Sequence, residues 1–277
     1  MMRLMASEWE RIWCRKITWV LFALIPVVLI ATGYKYQNFN QNLSPQSPAY
    51  SFLDNFPVLA LSSGYQLVIL FNLVLLILLV FSITEEYRSG QIRMVMIRSY
   101  SFAQLLLAKW LTVIGVIFLY LGCYMILSYV VGAWLFESSS QLFLLHHENP
   151  VSKGPAFSYV IRYYAIAFLT LVVVSIIVTF FAIVSQTTTT AIGVVAGFFL
   201  ASFAYPAILK TFSIGLEPPL DPAWYLLSIN VIQQEGIALL LADKPKFPFF
   251  IMKTLLGYTV LFGISAYLSF TRKDRYI

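Results

Sequence analysis

Polar and apolar positions in this chain fall into long blocks rather than alternating residue by residue. Apolar windows near the roughly 20 residues that cross a bilayer run from Ile17 to Gly33, Leu67 to Ile83, Leu111 to Phe136, Tyr164 to Val184, Thr190 to Leu209 and Ile251 to Phe270. In lipid, backbone amides must be satisfied within a helix or around a closed barrel. None of the windows has the strand alternation of a barrel, so each predicts a transmembrane helix. Six crossings return the chain to the side on which it started.

Two further stretches carry helical patterning. Met5, Trp9, Ile12 and Trp13 recur on one face, with Arg3, Glu10, Arg11 and Arg15 elsewhere, which predicts an interfacial helix over 1–16 lying flat on the inner leaflet. That helix anchors the first span, and it is also placed to act as an elbow that passes force from a partner. Its late apolar run, Glu8 and Glu10, and the lack of a small-x-small site argue against a cleaved signal peptide. The stretch Ala223 to Ala242 has the length of a seventh span, but Gln233, Gln234 and Glu235 would sit at its centre, where a carboxylate alone costs about 2.5 to 3.5 kcal/mol. A re-entrant or surface helix within an outer loop over 210–250 fits better. The outer loop Tyr34 to Ser62, rich in Asn, Gln, Ser and Pro, favours turns over packed structure and holds the sequon Asn42-Leu43-Ser44.

Composition agrees with the blocks. Charged residues are 11% and hydrophobic residues 60%, against about a quarter charged in soluble domains, so the chain is an all-α membrane protein with a single transmembrane domain over 1–277. With the termini inside, eleven basic and five acidic residues face inward and seven of each face outward, which places the whole net charge of +6 on the inner face. The positive-inside rule therefore puts both termini in the cytoplasm of a plasma membrane, and the compact design suggests a bacterial one.

The interiors of the six windows carry no Asp, Glu, Lys, Arg or His. Ion-coupled transporters need intramembrane ionisable groups or interrupted helices, and intramembrane hydrolases need a buried nucleophile and base or a metal. Lone hydroxyls such as Ser82, Ser128, Ser175 and Thr179 are expected to bond their own backbone. Cys14 and Cys123 lie at different depths and do not pair, while His146 and His147 have no third ligand nearby for a metal. No G-x-x-x-x-G-K-[ST] sequence occurs, so nucleotide hydrolysis is expected on another polypeptide rather than on this one.

Between the second and third windows the chain turns charged, over Glu85 to Lys109. Ser82 and Glu85 have the spacing of a capping box, and Ser89 and Gly90 interrupt the helix it opens. Beyond them Ile92, Val95 and Met96 face one way while Arg93 and Arg98 face another, and Ser101 with Gln104 forms a second cap at the start of the third span. The segment reads either as a short rigid lever joining two spans or as an amphipathic inner loop held by its positive charge.

The order of apolar span, E-x-x-x-G (Glu86 to Gly90), basic amphipathic helix and S-x-x-x-L-L-L-A-K (Ser101 to Lys109) resembles the permeases of type-2 ABC exporters. The resemblance extends in layout to the N-terminal interfacial helix and the six spans. It implies a subunit that dimerises and binds two cytoplasmic ATPase subunits, which hold the ATP and Mg. The coupling segment 85–109 would do this binding through Glu85, Glu86, Arg88, Gly90, Arg93 and Arg98. Gly193, Gly197 and Ala201, at four-residue spacing in the fifth span, form a smooth face for helix packing within one chain or between two. The resemblance favours the homodimer, with a heterodimer of two permeases as the alternative.

For cargo, aromatic-rich spans without charge suggest a cavity or lateral groove for amphipathic molecules. Among the cargoes that the resemblance to type-2 ABC permeases implies, antimicrobial peptides or hydrophobic antibiotics rank first, which would give self-immunity or resistance. Asn72 is a candidate substrate contact or a hydrogen-bonding contact to a neighbouring helix. Two other classes stay open: a membrane sensor or scaffold whose inner segment recruits a signalling partner, and an intramembrane enzyme.

Overall fold

All six apolar windows form helices long enough to cross a bilayer. A computed structural model describes residues 2–44, 47, 50–62, 65–89, 102–147, 149–185, 187–213 and 221–273. Span one is Lys16–Asn40, and span two begins as a π turn, Leu67–Phe71, and continues as the helix Asn72–Ser89. Spans three to six are Phe102–Leu135, Lys153–Val184, Thr188–Phe212 and Pro248–Lys273. The chain is a multi-pass, all-α membrane protein, and among the described residues the extended pairing is a single bridge between Leu142 and Val151.

Contacts group the helix ends into two sets: Glu8 with Lys109 and Thr84 with Thr188 at one end, the terminal side, and Asn55 with Phe143 and His147 with Asp243 at the other, the far side. Span four is the hub, packed against spans two, three, five and six, while span one lies on span three. Spans two and four are mostly buried; spans five and six leave most of their surface outward. Rings fill the centre: Phe71 sits edge-on to Tyr120 at 5.2 Å and to Tyr124 at 5.3 Å, and the Tyr120 hydroxyl donates to the Leu21 carbonyl at 3.2 Å.

The far-side loop departs from its composition. Span one continues to Asn40, whose side-chain amide donates to the Ser51 carbonyl at 2.8 Å and accepts from the Ser51 amide at 2.9 Å. Asn55 likewise accepts from the Phe52 amide at 2.8 Å and donates to the Tyr50 carbonyl at 3.1 Å. These asparagines replace backbone partners that a helix or sheet would supply. They hold in place a short helix, Phe56–Ser62, that is buried along most of its length. Residues 50–62 are thus packed structure rather than loose turns.

Residues 222–240 form no seventh long helix but four short pieces: a 3-10 turn Pro222–Leu227, the turn Ile229–Val231, a π turn Ile232–Gly236 and Ile237–Leu240. Each start has a chemical reason. Asp221 accepts from the Ala223 amide at 2.9 Å before Pro222, and the Ser228 side chain caps the next turn at Val231. Side chains then stitch the pieces to spans five and six: Asn230 donates to the Phe199 carbonyl at 2.9 Å, and the Tyr258 hydroxyl to the Leu227 carbonyl at 2.8 Å.

Candidate functional site at the two ends of the charged segment

The charged segment begins directly after Thr84 and ends at Lys109, and both of these residues are pinned to other elements. At the exit, Thr84 is buried and its hydroxyl donates to the Val80 carbonyl at 2.7 Å. That leaves its oxygen as acceptor for the Thr188 hydroxyl, 2.8 Å away at the start of span five. Thr187 caps that start by accepting from the Thr190 amide at 3.1 Å, so the end of span two abuts a capped helix start.

At the re-entry, Lys109 donates to the Glu8 carboxylate at 2.8 Å, and the other carboxylate oxygen faces Arg11 at 3.3 Å. Leu4, Glu8 and Ile12, at four-residue spacing, are the buried face of the N-terminal helix Met2–Cys14. The sequence pattern points to a face of Met5, Trp9, Ile12 and Trp13. In the folded chain Trp9 is instead 37% exposed, and the contact face is rotated toward Glu8 because the carboxylate meets a lysine on span three. The Trp9 ring edge lies 3.2 Å from where a Cβ on Gly115 would stand, so the bare backbone of span three admits it. The N-terminal helix is therefore docked on the protein.

Its junction with span one is equally fixed. Thr18 donates to the Ile12 carbonyl at 2.6 Å and the Trp19 indole to the Trp13 carbonyl at 2.9 Å, satisfying carbonyls that the end of a helix leaves open. Trp13 stacks in turn on Trp19 and Phe22, each with ring centroids at 5.3 Å.

Of the expected coupling residues, Glu85, Glu86 and Arg88 fall on the last turns of the helix Asn72–Ser89. Gly90, Arg93 and Arg98 lie outside the described residues. The helix runs unbroken through Ser82, so the Ser82–Glu85 pattern is not a helix start; a hydroxyl inside a regular ladder has no open amide to cap. The third span starts at Phe102, directly after Ser101. Lys109 is a correction to the reading of charge-free spans. It lies inside the helix of span three, 4% exposed, and its charge is balanced by a residue that only the fold brings near. Lys253, one turn into span six, and Arg162, within span four, also lie inside span helices, but both are exposed.

Asn72 faces no groove. Its amide donates to Gln233 at 2.8 Å and accepts from it at 3.1 Å, with both residues buried. The pair sits between two π turns, Asn72 directly after the first and Gln233 within the second. Asn72, the candidate substrate contact, thus makes a packing contact to the broken far-side segment. Gly193 and Gly197 stand in the open, with nothing within 4 Å of where a Cβ would project, and Ala201 is exposed, so among the described residues this stripe is not spent on packing inside the chain.

The lone hydroxyls bond their own helices, Ser128 to Met125 at 2.7 Å and Thr179 to Ser175 at 2.7 Å. Ser175 donates to the Val172 carbonyl and also accepts from the Trp110 indole at 2.8 Å. His147 pairs with Asp243 at 3.3 Å on the far side, and among the described residues no three His, Cys, Asp or Glu gather to hold a metal. Two grooves flank span six. One of about 630 Å³ beside Lys253 and Gly257 lies toward the far side, and one of about 410 Å³ beside Trp110 and Gly263 lies toward the terminal side.

A family model for proteins of unknown function, DUF2705, matches residues 23–276. The chain belongs to the DUF2705 family. No curated protein matches it. The region this DUF2705 chain shares with its family takes in Thr84, Lys109 and Thr188 and begins inside span one, after Glu8 and the docked helix.

Proposed function

We propose that this chain is the membrane subunit of an ATP-driven exporter of the type-2 ABC kind, driven from the terminal side through the coupling segment 85–109. The supporting observation is the double pinning of that segment: Thr84 to Thr188 at one end and Lys109 to Glu8 at the other. A load applied between these anchors is delivered to span five and to the N-terminal helix together, as a lever requires. Coupling further needs the partner to hold the segment differently in its two nucleotide states, since equal affinity for both shifts nothing.

In this reading the terminal side is the cytoplasm of a plasma membrane, ATP and Mg belong to a separate ATPase subunit, and two permease chains associate through the open Gly193–Gly197 face. The cargo is a hydrophobic or amphipathic molecule, with antimicrobial peptides and antibiotics first, handled along the apolar groove beside Trp110 and Gly263. Co-purification in mild detergent tests the partner. Recovery of a nucleotide-binding protein in equal stoichiometry is expected. Recovery of a signalling protein in its place supports the sensor or scaffold reading, and uphill cargo movement by vesicles holding this chain alone overturns the exporter.

A further inference from the structure

Lys253 is the lone charged residue between Pro248 and Ser269, and its side chain is exposed. Span six starts on the far side, so at about 1.5 Å per residue Lys253 stands about 8 Å along the helix from that end. The end itself is marked by rings: Phe249 is 82% exposed, and Trp224, also outward, meets Phe250 edge-on at 6.4 Å. Aromatic residues of this kind gather at the membrane-water boundary. Lys253 therefore lies about one helical turn inward of that boundary, where headgroup gives way to acyl chain.

A groove runs inward from it. Phe250, Lys253, Gly257 and Leu261 recur at three- and four-residue spacing and line one face of span six, with Leu227 as the opposite wall. The Tyr258 hydroxyl holds that wall by donating to the Leu227 carbonyl at 2.8 Å. At Gly257 an added Cβ would meet nothing within 4 Å, so the floor of the groove is an open trough. Its volume of about 630 Å³ falls in the range of about 300–1,000 Å³ found for small-molecule sites. Among the described residues the lining carries one positive charge and no carboxylate.

These features select an occupant. A second copy of the chain laid over the groove would strip water from Lys253 and, by two-fold symmetry, bring the same cation without a counter-charge. A zwitterionic lipid neutralises its own phosphate. An amphiphile with net negative charge supplies an anion at the depth of Lys253 and a chain for the trough. We propose that the groove holds one anionic phospholipid of the far-side leaflet, its phosphate on the Lys253 ammonium and an acyl chain over Gly257 toward Leu261. The site does not depend on the exporter reading, because it needs no nucleotide-hydrolysing partner.

The test is native mass spectrometry of the full chain released from micelles holding equal amounts of phosphatidylglycerol and phosphatidylcholine with matched chains. The first retained lipid should be phosphatidylglycerol by about fivefold, the ratio equivalent to roughly 1 kcal/mol for one basic side chain near an anionic lipid. Lys253→Gln should abolish that preference, Lys253→Arg should keep it, and Lys210→Gln, at the far-side end of span five and outside the groove, should leave it as in the wild type. Gly257→Leu should lower retention of phosphatidylglycerol by filling the trough. Equal retention of the two lipids by the wild type overturns the site. So does a preference that survives Lys253→Gln, one that falls equally in Lys210→Gln, or retention unchanged by Gly257→Leu. All variants are compared as monodisperse protein by size exclusion, and exposed positions 210, 253 and 257 leave the packed interior intact.

Discussion

Glu8 and Lys109 are 101 positions apart in sequence and form an ion pair 2.8 Å long, with both side chains 5% exposed. Desolvation takes back much of the Coulombic gain of such a pair, so its value lies in geometry: it fixes one docking position of the N-terminal helix on span three. Removing one partner is a different matter. Glu8→Ala should cost about 3–5 kcal/mol, as loss of one member of a buried pair does. The Glu8→Lys, Lys109→Glu double exchange should recover part of that loss. Thermal unfolding in detergent across the double-mutant cycle measures both.

Glu86 lies where the helix Asn72–Ser89 carries span two beyond Thr84. Under the exporter reading, Glu86→Lys should leave expression and folding of the membrane domain intact while separating nucleotide hydrolysis by the partner from cargo movement. Parallel ATPase and transport assays in reconstituted vesicles check this, and intact transport at normal expression would remove Glu86 from the lever.

The Asn72–Gln233 pair separates packing from cargo contact. Asn72→Leu strands a fully buried amide at Gln233 and should cost about 1–3 kcal/mol. Replacing both residues with Leu removes donor and acceptor together and should restore most of the stability. If Asn72 touched cargo, the restored double variant would still lose cargo-stimulated ATPase activity; retention of that activity is the outcome expected here.

Span five offers a direct test of association. Gly197 is exposed and has open space beyond it, so Gly197→Leu should leave the monomer's stability within about 0.5 kcal/mol, as surface changes generally do. It should weaken self-association if two chains approach along that face. Crosslinking yield together with the unfolding midpoint reads the two effects apart, and an undiminished dimer would send the interface elsewhere.

Much of the frame was legible along the chain. The windows at Leu67, Tyr164 and Thr190 begin within a few residues of an observed helix or inside one, because bilayer thickness and backbone hydrogen bonding leave an apolar run of that length a single option. Ser82 misled because S-x-x-E marks a helix start only where amides are open, and whether a helix has already begun upstream is not a property of four residues. The asparagines at 40 and 55 misled in the opposite direction, since the same side chain that loosens a free loop can hold it once a partner backbone is within reach.

The charged contacts follow the same division. Residue order alone determined the membrane class, the six helices long enough to cross and the position of the one charged segment between spans, because each of these depends on length, hydropathy and nearest neighbours. Only tertiary structure decided that Glu8 faces Lys109, that Thr84 meets Thr188 and that Asn72 is spent on Gln233. Those choices turn on which residues from distant spans share a depth and a face, and burial then makes each polar group take whatever partner the packing brings.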